Sequence, residues 1–199
     1  WPFNKQLALT GVKTKPSKVY ALADKQKASL PFEFNEMVTT ISLPADEPDP
    51  YVSVVVVEYD ETPQVVNGLV AQTVDGGYSL LPKNQNPIDD KLSIESKSRR
   101  GTVPAHVIID KKKTFKWKIF IDEPKKIAVD LSYSVDHENS KSKAILRINK
   151  GEMTQVLIPT GKTIGEPNRN WVIDNFLSRQ IGTVGLDKKG MYDIELEII

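Results

Sequence analysis

Phe115-Lys116-Trp117-Lys118-Ile119-Phe120-Ile121-Asp122-Glu123-Pro124-Lys125-Lys126-Ile127-Ala128-Val129-Asp130-Leu131-Ser132-Tyr133-Ser134-Val135 is the stretch that decides the fold. Successive side chains of a strand point to opposite faces, so Phe115, Trp117, Ile119 and Ile121 share one face. Ile127, Val129, Leu131, Tyr133 and Val135 share another, and Asp122-Glu123-Pro124 between them has the composition of a turn. The same period recurs downstream. Ala144, Leu146 and Ile148 form a third apolar face, and Tyr192, Ile194, Leu196 and Ile198 alternate with Asp193, Glu195 and Glu197 as a strand with one wet face. No window offers a 3.6-residue apolar stripe of helical length. Short strands separated by Asp136–Lys143, Gly161–Asn170 and Asp187–Gly190 leave no room for crossover helices, so the strands must be antiparallel. The expectation is an all-β chain.

Upstream, Phe3–Leu9, Val19–Leu22, Leu30–Phe34 and Met37–Leu43 read as short strands, the last rich in residues suited to a pleated, half-buried surface. Pro44-Ala45-Asp46-Glu47-Pro48-Asp49-Pro50 carries three prolines that cannot donate to a ladder and reads as a connection. Tyr51–Tyr59 follows, with an unbroken Val run at its centre that calls for cover on both faces. Between Glu61 and Gly68 the sequence turns polar and ends in an Asn67-Gly68 turn signal, which predicts a domain boundary. Leu69–Thr73, Asp75-Gly76-Gly77 and Tyr78–Leu81 then read as a hairpin. Leu92–Ile94 and Ala105–Ile109 are further candidate strands. Two antiparallel β-sandwich modules are therefore expected, over residues 1–62 and 69–199, a division in keeping with 199 residues and with the usual size of a single core.

Composition narrows the function. A net charge of +1 gives no field that would gather nucleic acid or an anionic membrane. The absence of cysteine removes disulfides, thiolate metal sites and a Cys nucleophile. The longest apolar run, Val54–Val57, is strand-sized, so no membrane span is expected. The sequence opens on Trp1-Pro2-Phe3 with neither Met nor a signal segment, which suggests a fragment or a processed product.

Trp1-Pro2, Lys18-Val19-Tyr20-Ala21-Leu22, and Ile41-Ser42-Leu43-Pro44 through Pro48-Asp49-Pro50 with its Val run together resemble the C-terminal β-sandwich of family-29 α-L-fucosidases. Residues 69–199 are similar to galactose-binding-like accessory sandwiches of jelly-roll type, on the strength of Phe115–Ile119, Asp122-Glu123-Pro124, Ile127–Ser134, Trp171–Phe176, Ile181–Val184 and Gly190–Leu196. At the turn before the middle strand, Pro124-Lys125 stands where that class usually has Pro-Gly. The first module is then of Ig-like, Greek-key type and lacks the strand that precedes Trp-Pro in the resembled family. The resemblance implies that this chain is a non-catalytic accessory region of a secreted, periplasmic or cell-surface bacterial glycoside hydrolase. Its partner would be the catalytic barrel domain of the parent protein, with glycan as a further expected ligand and no cofactor. A structural or adhesion protein whose tandem Ig-like modules contact other proteins is the alternative.

Candidate chemistry is sparse. A retaining glycosidase needs two carboxylates on a rigid scaffold flanking the sugar. In the resembled family these lie in the barrel, which this chain lacks, so no catalytic residue is carried over. His106 and His137 have no metal-ligand spacing around either, and no Gly-x-Ser-x-Gly elbow is present. From Lys97 to Lys126 there are ten Lys/Arg against three Asp/Glu. That excess is either an anion-binding face or the ordinary wet face of the strand whose dry face carries Phe115 and Trp117. Asn168-Arg169-Asn170-Trp171 places an aromatic ring beside planar hydrogen-bonding groups at the end of a long polar connection, a combination suited to stacking on and bonding to a sugar. Against that, Trp171 can simply open a strand, half-buried, with Asn168 and Asn170 serving the turn.

Overall fold

In the computed structural model, residues 5–73, 75–87, 106–135, 141–161, 164–166, 171–173 and 176–199 are described. They are all-β: strands are joined by loops, and the one helical element among them is the turn Pro82–Asn84. Every strand pairing resolved in register is antiparallel. The chain divides into two compact units, residues 1–79 with 119–122, and residues 80–118 with 123–199.

In the first unit, β1 (Gln6–Thr10), β4 (Val38–Ser42) and β3 (Phe32–Asn35) form a sheet in the order β1-β4-β3. A second ribbon pairs β2 (Lys18–Ala21) with β5 (Val55–Glu58). Register places Leu7 and Phe32 on either side of Ile41. That row packs with Val19, Val55 and Val57 of the ribbon around fully buried Ile41 and Val19, so the two sheets close on one core. Gly11 allows the chain to turn after β1. Its φ of +93° suits glycine, and a Cβ there would sit 3.3 Å from Leu69 Cδ2.

The expected boundary segment contributes to this unit. Val12 bridges Val65, Lys13 N donates to the Gln64 carbonyl at 2.8 Å, and Gln64 N donates to Thr14 Oγ1 at 2.9 Å. After the short strand β6 (Leu69–Val70), the Asp75-Gly76 hairpin also forms: Gln72 bridges Tyr78, and Gly76 has a φ of +85°. Tyr78 donates its hydroxyl to the Phe120 carbonyl at 2.8 Å, and burial, with Asp122 nearby, pushes that hydroxyl up to about 12.

In the second unit, residues 113–118 of β7 (Lys113–Ile121), β9 (Lys143–Ile148), β10 (Gly151–Val156) and β14 (Gly190–Ile198) belong to one sheet in the order β10-β9-β14-β7, and β13 (Leu177–Leu186) pairs with β8 (Lys125–Tyr133) in another. Phe115, Trp117, Ala144, Leu146, Ile148 and Ile194 are buried from the first sheet, and Leu186 from the second. A bulge at Gln180/Gly182 bends β13 across the core. There Gly182 meets Met153 of β10: a Cβ at 182 would lie 2.6 Å from its sulfur.

Candidate functional site

Asn168, Arg169 and Asn170 lie outside the described residues. Trp171 opens β12 (Trp171–Ile173), which pairs with β11 (Ile164–Glu166) so that Glu166 is opposite Trp171. His137 and the candidate strand at 92–94 are outside the described residues as well. His106 makes an isolated bridge, and its ring is tilted against that of Phe176 with centroids 5.0 Å apart. Among the described residues no three or more His, Asp or Glu side chains group as metal ligands, and no helix is long and apolar enough to cross a membrane.

Two open clefts do form in the second unit, both reaching Asn149 in the tight turn between β9 and β10. Asn149 adopts a φ of +50°, which asparagine tolerates because its short side chain bonds locally. Its Oδ1 accepts from Asp193 N at 3.1 Å and its own N donates to the Asp193 carbonyl at 3.0 Å, which pins the turn to β14. On the inner side, a cleft of about 410 Å³ runs between the sheets, lined by Leu146, Ile148, Met153 and Val184 with Thr183, Lys150 and Tyr192. The Tyr192 ring is fixed by its hydroxyl, which donates to the Lys188 carbonyl at 2.9 Å and accepts from Lys188 N at 3.1 Å. The lining mixes aliphatic, aromatic and hydroxyl groups. The sequence held only a faint sign of it, the glycines of β10, β13 and β14.

On the outer side, a cleft of about 320 Å³ lies over the charged face and is lined by Asn86, Lys116, Lys118, Arg147, Asp193 and Glu195, among others. Three lysines of the excess read from the sequence are paired on this face. Lys112 pairs with Glu197, Lys116 with Glu195 at 3.3 Å, and Lys118 with Asp193 at 2.8 Å. Arg147 binds Glu152 and Glu195 at 2.8 Å and Glu197 at 2.9 Å. These three carboxylates raise the pKa of the guanidinium further, Glu197 most. Lys112, then Arg147, holds the Glu197 carboxyl below the usual range. Glu197 held in this way is a poor proton donor, because its charged form is already stabilised. The face is a bonded charge ladder. β14 corrects one sequence expectation: its polar side is not uniformly wet, since Glu197 is buried beneath Lys112 and Arg147.

No family model matches this chain, and no curated protein matches it. Among solved structures it is similar to an α-L-fucosidase from Vibrio sp. strain EJY3, at 17% identity and a TM-score of 0.53, over 98% of this chain and 32% of that one. At that identity the likeness is one of fold, and this chain spans about a third of the length of its neighbour.

Proposed function

We propose that this chain is a non-catalytic accessory region of a bacterial glycoside hydrolase of α-L-fucosidase type, secreted, periplasmic or held at the cell surface. Its first unit supports the catalytic domain, and its second unit contacts carbohydrate through the loop Asn168-Arg169-Asn170-Trp171. One observation carries the reading: the likeness to the fucosidase takes in both units, 98% of the chain, while accounting for only 32% of that enzyme. The charge ladder agrees with it, since the acids of β14 are committed to Lys and Arg.

The coding sequence upstream of residue 1 is the first test. The reading requires a barrel of roughly 300–350 residues there, and a gene with no such domain would remove it. The second is an NMR titration of the chain with L-fucose and fucosylated oligosaccharides. A Trp171→Ala variant with an unchanged melting curve should lose binding if the ring is a platform. Shifts centred on Tyr192 and Lys150 instead would move the site to the inter-sheet cleft.

A further inference from the structure

In an Asn-Gly pair the glycine nitrogen has no side chain beside it, so it reaches the asparagine amide more easily than the nitrogen of any other residue does. Asn67-Gly68 is the one such pair in the sequence. The structure leaves it free to react. Asn67 is exposed in a turn, Gly68 has a φ of +72°, and the Asn67 side chain holds no hydrogen bond to the described residues. The other described asparagines are held or blocked. Asn149 Oδ1 accepts from Asp193 N at 3.1 Å, and Asn84 Oδ1 accepts from Leu81 N at 2.7 Å. Asn86 precedes Pro87, whose nitrogen carries no hydrogen to lose, and Asn35 lies in β3 ahead of Glu36, whose side chain crowds the nitrogen. Asp75-Gly76 has the same pattern with an acid, but its carboxylate is occupied by Thr73 Oγ1 and by Gly77 N at 3.4 Å.

Both sides of this turn are fixed to the same place. Before it, Val65 bridges Val12, and Val66 N donates to the Gly11 carbonyl at 2.8 Å. After it, β6 begins at Leu69, whose Cδ2 lies 3.3 Å from where a Cβ on Gly11 would stand, and Val70 is buried. The turn is thus clamped around Gly11, and the length of main chain between the two anchors is matched to the residues that span them.

We propose that Asn67-Gly68 is a site of spontaneous covalent modification, at which the chain deamidates through a cyclic imide and so loosens its own clamp around Gly11. The Gly68 nitrogen, having given its proton to solvent base, attacks Cγ of Asn67. The N–Cγ bond forms, the Cγ–Nδ2 bond breaks, and ammonia leaves with a proton from water. Water then opens the imide. Cleavage at Cγ yields aspartate with the original main chain, whereas cleavage at the main-chain carbonyl yields isoaspartate, whose main chain runs through Cβ and Cγ. Nothing is oxidised or reduced, and water is the sole co-reactant. Both products add a negative charge, but only isoaspartate adds a carbon to the main chain, about 1.5 Å of bond between anchors already set.

The test is to incubate the folded 199-residue chain in mildly alkaline buffer and follow its peptides by mass spectrometry. The peptide containing Asn67 should gain about 1 Da, and isoaspartate in it should accept a methyl group from an isoaspartyl methyltransferase. Conversion there should run roughly tenfold faster than at Asn35, Asn84 or Asn149, and faster still as pH rises. Asn67→Gln should keep the melting curve and abolish the gain. Equal rates at all four asparagines, or a gain that persists in Asn67→Gln, would overturn the site. The clamp is read by hydrogen exchange at Val66 N, in the isoaspartate form and in freshly prepared Asn67→Asp, which carries the charge without the extra carbon. Exchange should quicken by about tenfold in the isoaspartate form alone. Unchanged protection in that form, or equal loss in Asn67→Asp, would overturn loosening by a lengthened main chain.

Discussion

The indole of Trp117 is 3% exposed, stacks on Phe115 with centroids 5.9 Å apart, and donates Nε1–H to the Leu81 carbonyl at 2.9 Å. Replacing it by Phe keeps the stacking and abandons the carbonyl, so Trp117→Phe should lower stability by about 1–2 kcal/mol in urea unfolding, and Trp117→Ala by about 3–5 kcal/mol. Alternation alone placed this ring in the core, but the partner of its N–H was not legible, because Leu81 is brought to it by a loop. Gly182 is a second such case. A methyl there must displace Met153, and because only the end of a flexible side chain has to move, Gly182→Ala should cost about 1 kcal/mol or less, the low end for overpacking. Combined with Met153→Ala, it should cost less than the sum of the two separate changes. Additive values would show that the close approach carries no strain.

At the scale of elements, β14 joins two unlike tasks along one strand. Ile194 faces the core, while Asp193, Glu195 and Glu197 bind the cations of β7 and β9. The carboxyl of Glu197 is depressed below its ordinary value of 4.5, so its stabilisation is fully present above that value and is lost as pH falls through the lower folded one. Melting temperature should therefore drop below about pH 4.5, and the drop should be shallower in Glu197→Gln. An equally steep acid limb in that variant would assign the effect to other acids. Lys116 is exposed, and Lys116→Met should change stability by less than about 1 kcal/mol. Elements with a clear dry face, such as β7, β8 and β9, were legible in the sequence. β10 was not, since Glu152, Met153, Thr154 and Gln155 give an edge strand little alternation to read.

For the whole molecule, the accessory reading predicts that purified chain releases no nitrophenol from an aryl α-L-fucoside. Activity abolished by a point change within these residues would contradict it. Sequence by itself determined that the chain is all-β and antiparallel, which side of most strands is dry, and that Asp75-Gly76 turns a hairpin. These follow from period-2 alternation and turn chemistry, which act over a few residues. Only the tertiary structure decided that the polar 61–68 segment pairs with residues 12–14 inside the first unit and that the lysines of β7 meet the acids of β14. It also decided that the second face of the Val run stays open at Leu22 and Val54. Which strand lies beside which depends on contacts between residues far apart in the chain, and the period of a strand says which face is apolar without saying what will cover it.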